Sequence, residues 1–227
     1  MKKTLLFWGM ACSTVIAQKT YIQCGNLIDT RSQKVQKEMT VVVEGNKIVE
    51  IKSGYQKGGA TDAVLDLKKK YVLPGLIDMH VHLESQTAKD QFQKRIQYSE
   101  ADVAFEAQKY ANITLMAGFT TVRDLGGSGV NISLRGAINR GSVVGPRVFT
   151  SGKTIATTGG HGDPSNGIGP NYMLSNDDRM DGVINSADEA RQAIRQRYKD
   201  GADWIKITAT GGGLSIAKNG KGPQFQD

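Results

Sequence analysis

An α/β fold, in which βα units build a parallel sheet behind a small all-β segment, is predicted by three observations. From Leu73 onward, short apolar strand-like runs alternate with helical patterns, as parallel sheets with crossover helices require. Between Thr20 and Leu67 the chain shows only strand and turn signals. The residues best able to carry chemistry, His80, His82 and Lys206, fall late in predicted strands. In parallel sheets function gathers at those C-terminal strand ends.

The chain has 227 residues, of which 39% are hydrophobic and 22% charged, an ordinary globular composition. Its net charge of +7 is dispersed, so it does not single out nucleic acid as a partner. The one tight basic run, Lys68-Lys69-Lys70, reads as a solvated loop. Residues 1–17 read as a Sec-type signal peptide. Met1-Lys2-Lys3 is a positive n-region, an apolar stretch follows, and Val15-Ile16-Ala17 offers a cleavage site before Gln18. The apolar stretch is too short to span a bilayer. The expectation is an exported protein, periplasmic or secreted, without stable membrane insertion. A lipoprotein cysteine at Cys12 is the alternative, disfavoured by the lead-in Gly9-Met10-Ala11. After cleavage Cys24 is the sole cysteine, so no internal disulfide can form.

Residues 18–72 form the all-β segment. Tyr21-Ile22-Gln23-Cys24 is a strand that Gly25-Asn26 is expected to turn. Thr40–Glu44 and Lys47–Ile51 flank Gly45-Asn46, a two-residue hairpin signature. Val64–Leu67 is a further short strand. Such a unit buries little core alone.

In residues 73–227 the first strand follows Pro74-Gly75. A helix over Ser99–Ala117 places Val103, Ala104, Ala107, Ala111 and Leu115 on one face and stops at Gly118. Phe119–Asp124 is the second strand, Asn131–Arg140 a shorter helix, and Arg147–Thr150 the third strand. Ser186-Ala187-Asp188-Glu189 is a capping box that opens a helix ending at Gly201. Asp203–Ala209 is the fourth strand.

On the first strand, alternation puts Leu76, Asp78, His80 and His82 on one face and Ile77, Met79, Val81 and Leu83 on the other, as packing. Two imidazoles at i and i+2 near a strand end can converge on a divalent metal. Asp78 could then fix a ligand tautomer. The alternative is a buried strand whose histidines find ordinary hydrogen-bond partners. Lys206 shares its face with Trp204 and Thr208; it is either a ligand precursor or a strand-end lysine reaching solvent. His161 lies in the Gly-rich loop Thr154–Asn171. It is either solvent-exposed or a substrate-orienting donor. Asp124 is expected to anchor the glycine-rich loop that follows it.

Four strands occupy residues 73–227, whereas a complete eight-stranded barrel takes about 250 residues. The expected architecture is therefore the first half of a (β/α)8 TIM-like barrel, completed by a longer protein or by another chain.

Pro74-Gly75-Leu76-Ile77-Asp78-Met79-His80-Val81-His82, behind a signal peptide and a small β unit, resembles the amidohydrolase superfamily. Within it the chain is similar to imidazolonepropionase-like proteins and Xaa-Pro dipeptidases. Gly118–Asp124, Gly159–Asp163 and Asp203–Ile207 support the resemblance. It implies a distorted barrel beside a β-sandwich made from both chain ends. It also implies two divalent metal ions, zinc before manganese, cobalt or iron, with His80 and His82 on the first and a carboxylated Lys206 bridging both. The family's two later histidines and its late aspartate have no position in this chain. The implied activity is metal-dependent hydrolysis of an amide or peptide C–N bond by a metal-bridging hydroxide, with His161 binding substrate. The implied partners are a small molecule or short peptide, and a homo-oligomer is compatible. A non-catalytic half-barrel and a cyclic-amide hydrolase or deaminase of the same superfamily are the competing readings.

Overall fold

The computed structural model describes residues 18–169, 171, 181–213 and 220–225. The predicted signal peptide and Cys12 lie outside them. The chain divides into two compact units, residues 1–74 and 75–227.

The first unit is a four-stranded sheet of β1 (Lys19–Asp29), β2 (Lys34–Glu44), β3 (Lys47–Ser53) and β4 (Ala63–Val72). Its order is β3-β2-β1-β4, antiparallel except for the parallel β1–β4 pair. The β2–β3 hairpin turns at Gly45-Asn46, with Gly45 at φ +59°, a left-handed value that costs glycine nothing. Cys24, Leu27 and Val41 form the buried core, and Cys24 is a free thiol. Two expectations are corrected. Gly25-Asn26 does not turn the chain: β1 runs on to Asp29, and Gly25 sits where the β1–β4 register slips. Its absent side chain is what lets the two strands meet, since a Cβ there would lie 1.9 Å from the Lys68 carbonyl oxygen. Lys68-Lys69-Lys70 is part of β4 rather than a loop. Its side chains are exposed and satisfy the solvation their charge demands.

In the second unit, β5 (Leu76–Val81), β6 (Phe119–Asp124) and β7 (Arg147–Thr150) form a parallel sheet in the order β5-β6-β7. The helices are α1 (Gln91–Gln97), which the sequence pattern did not announce, α2 (Glu100–Met116), α3 (Val130–Asn139) and α4 (Ala187–Asp200). Ser99 opens α2 with a reciprocal capping box to Asp102. The α2 face predicted to be apolar is the face that packs: Ala107 and Ala111 join Leu83, Val122, Leu134 and Val148 in one core. At α4, Ser186 Oγ accepts the Glu189 N–H, but Glu189 accepts from Asn185 rather than from Ser186. This is half a capping box. Gly201, at φ +87°, closes the helix.

The fourth strand is less regular than expected. Asp203–Ala209 meets its neighbour through a single parallel bridge, Ile155–Ile207. The Asp203 N–H reaches Thr150 O, Ile155 N–H reaches Lys206 O, and Thr208 N–H reaches Ile155 O. Gly152, at φ +64°, bends the chain between the first of these contacts and the others, so no continuous ladder can form. Asp203 holds the start of the segment by accepting from Arg135 and from the Thr150 N–H. The alternation of Trp204, Lys206 and Thr208 is kept: these three are more buried than Asp203, Ile205 and Ile207. Among the described residues no helix is long and apolar enough to cross a membrane.

Candidate metal centre

His80 is the fifth residue of β5 and His82 follows the strand's last residue. The two rings stand edge to face with centroids 5.4 Å apart. Both residues are exposed, while Leu83 beside them is buried and ties the strand end to the core. Val81 and Leu83 pack as expected, but Ile77 and Met79 are exposed, at 61% and 53%. The irregular β5–β6 register between Asp78 and Val81 separates the two pairs.

His82 Nδ1 lies 2.8 Å from the Gly126 carbonyl oxygen. A carbonyl only accepts, so Nδ1 carries the proton, and in the neutral ring Nε2 keeps its lone pair for a ligand. The orienting group is therefore Gly126 and not Asp78, whose carboxylate accepts the backbone N–H of His80 at 2.9 Å. An Asp two residues before a residue on an extended chain reaches that residue's amide more easily than its ring.

The His80 imidazole is held below its ordinary pKa, first by desolvation and then by the positive charges of Lys206, His82 and Arg123, with Asp78 opposing them. Lys206 thus lies within electrostatic reach of His80. Arg123 donates from Nε to Met79 O and lies over the Trp204 ring at 5.3 Å. These contacts cross three strands and hold β5, β6 and the Lys206 segment together.

His161 does not join that cluster. Its backbone N–H donates to Gln224 Oε1, and its exposed ring lies against Gly212, where a Cβ would come within 2.3 Å. The contact links the loop after β7 to the glycine run after Lys206. Asp124 is fully buried and accepts the Gly126 N–H, so it does anchor the loop. Glu84 was not evident from the sequence. Its carboxylate accepts the N–H groups of Ser128 and Asn131 at the N-terminus of α3, a helix whose own N-cap, Gly129, has no side chain to offer. Gly127 permits this, because a Cβ there would lie 2.4 Å from the Glu84 carboxyl carbon.

The donor set fits a divalent metal in part. His82 presents a bare Nε2, and His80 is biased toward the neutral form that ligates. An ammonium at Lys206 would repel a metal, so this residue fits only in an anionic, carboxylated form. Among the described residues no three His, Cys, Asp or Glu side chains converge on one point.

Several known proteins are similar to this chain. A solved Xaa-Pro dipeptidase with methionine bound in its active site is 48% identical, with a TM-score of 0.82 over 92% of this chain and 51% of that one. A prolidase solved with N-methylphosphonate-L-proline is 30% identical, with a TM-score of 0.78 over 92% and 51% of the two chains. Ochratoxinase of Aspergillus niger is 30% identical over 190 residues, 70% of this chain and 38% of that protein. The chain spans about half the length of these solved relatives and less of ochratoxinase. The parallel sheet is accordingly the opening part of a (β/α)8 barrel. The profile of the amidohydrolase family matches residues 71–227, taking in the His-x-His strand and Lys206 alike, and the chain belongs to that family.

Proposed function

We propose that the protein is an exported, metal-dependent hydrolase of amide or peptide C–N bonds, with a substrate class like that of Xaa-Pro dipeptidases. The observation that carries this reading is His82, locked through Nδ1 to Gly126 with Nε2 free, beside a His80 biased to neutrality and within the field of Lys206. His80, His82 and a carboxylated Lys206 would hold divalent metal, two ions and zinc by preference. The ions, when bound, polarise the substrate carbonyl and lower the pKa of an attacking water. Arg123 and Asp78 hold the His80 backbone and its strand in place. His161, on a loop braced against Gly212, orients the substrate. The dipeptidase and prolidase relatives support a small peptide substrate. Residues 1–17 support export.

The test is a metal analysis of the full-length protein recovered outside the cytoplasm. It should begin at Gln18, hold roughly two metal equivalents and cleave Xaa-Pro dipeptides. His80→Ala should lower turnover by at least about 1000-fold, the order lost when a principal transition-state stabiliser is removed. Full turnover after metal has been stripped and excluded would overturn the reading.

A further inference from the structure

We propose that Asp124 is the positioning residue of the centre, fixing the tautomer and direction of His82 through the backbone on both sides of the ring. This rests on the metal-centre reading for its purpose, though not for its geometry.

Asp124 is fully buried at the end of β6. Three donors converge on its two oxygens. Oδ2 accepts the Leu83 N–H at 2.9 Å, and Oδ1 accepts the Gly126 N–H at 3.2 Å and the Asn131 Nδ2 at 3.0 Å. Leu83 is the residue after His82. Gly126 is the residue whose carbonyl receives His82 Nδ1–H. One carboxylate therefore fixes both ends of a closed circuit: β5 terminus, imidazole, Gly126 carbonyl, Gly126 amide. Loop anchoring alone would use the Gly126 contact and leave the Leu83 contact without a purpose.

The circuit is braced from behind. Asn131 Nδ2 also approaches Gly152 O at 3.4 Å, the Gly127 N–H donates to that same carbonyl, and Glu84 accepts the Asn131 N–H. Gly126 sits at φ +130°, and a Cβ there would lie 2.1 Å from Thr154 Oγ1. The peptide that faces His82 therefore has little freedom to swing. Burial makes the Asp124 charge costly and raises its pKa, and the three donors offset this in part. No cation pairs with Asp124 among the described residues.

The chemistry demands a carboxylate specifically. All three partners are donors, on two oxygens, so asparagine can satisfy one side only. Its NH2 must face either the Leu83 N–H or the Gly126 N–H, donor against donor. Asp124→Asn is nearly isosteric and still breaks the circuit.

The experiment uses full-length protein with 15N-labelled histidine. In the unaltered, metal-free protein His82 should be wholly the Nδ1–H tautomer, and a His82 that samples both would overturn the proposal. Asp124→Asn should introduce the second tautomer and weaken the tightest metal site by about 10–100-fold, the usual cost of losing such support. Val41→Ala, a core change in the first unit, should lower thermal stability and leave both readings within threefold. An Asp124→Asn protein with His82 still locked and metal affinity within threefold of the parent would overturn the proposal. If Asp124→Asn does not fold, the tautomer in the unaltered protein remains decisive. A parent that binds no metal yet shows the Asp124-dependent lock would sink the metal-centre reading and leave the positioning role standing.

Discussion

His80 carries the electrostatic imprint of Lys206. Its pKa is pushed down by desolvation first and then by the Lys206 charge, with His82 and Arg123 acting the same way. A histidine whose folded pKa is depressed contributes stability above its unfolded value of about 6.5 and loses it as pH falls through the folded value. The ring therefore stays neutral, and able to ligate, to a lower pH than a free imidazole. Carboxylation of Lys206 would reverse the sign of one cause. In metal-free protein Lys206→Met should raise the His80 titration observed by NMR. In the unaltered protein metal uptake should increase with bicarbonate, and in Lys206→Met it should not. Uptake indifferent to bicarbonate would remove Lys206 from the ligand set. His80 and His82 could be singled out in the sequence because imidazole is scarce on apolar strands and alternation assigns the pair a face, whereas Lys206 entered the ligand set through the family resemblance. The Gly126 carbonyl was not legible, since every residue carries a carbonyl and only the fold decides which one meets a ring. Glu84 was hidden for a related reason: it caps α3 from 44 residues away in sequence, at Ser128.

Elements whose ends are written in side chains were readable, and elements held by close backbone approach were not. Ser99 with Asp102, and Gly118 at φ +98°, bound α2 where the residue types said they would. Gly45-Asn46 likewise marks its hairpin. Gly25-Asn26 has the same local signature and the opposite meaning. There glycine serves a β1–β4 contact, invisible without knowing that Lys68 lies across from it. The consequence is measurable. Gly25→Ala would drive a Cβ to 1.9 Å from a backbone carbonyl that cannot rotate away, so the strands must separate. The expected cost is about 1–3 kcal/mol, the scale of overpacking in a well-packed core, seen as a lower midpoint in urea. Gly45→Ala is the comparison: its Cβ meets nothing within 4 Å, and the penalty comes from φ +59° alone, at about 1 kcal/mol. Equal midpoints for Gly25→Ala and the parent would refute the close-approach account. The fourth strand shows the same limit in reverse. Its alternation was legible, whereas its single bridge follows from the Gly152 bend in the neighbouring segment.

At the scale of the whole molecule, the described residues of the second unit leave a parallel sheet open. β5 is an edge strand of the β5-β6-β7 sheet, and Ile77 and Met79 on it are 61% and 53% exposed. Ile207, on the far side of the series, is 50% exposed. An unpaired strand edge bordered by exposed apolar residues is a template for association, and parallel sheets are ordinarily covered on both faces. The relatives solve this with about twice the chain: 92% of this sequence aligns with 51% of the Xaa-Pro dipeptidase. Two imidazoles and one lysine are the donors gathered among the described residues. Residues 18–227 produced alone should therefore sediment as a concentration-dependent mixture, bind an apolar dye such as ANS and show no measurable dipeptide turnover. Protein of the relatives' full length should sediment as a single species and bind little dye. Adding the remainder of the full-length protein in trans should restore at least part of both properties, because it would supply strands for the open edge. A monodisperse, dye-silent 18–227 chain with dipeptidase activity would show that the sheet is complete in itself and that two histidines and a lysine suffice for the reaction.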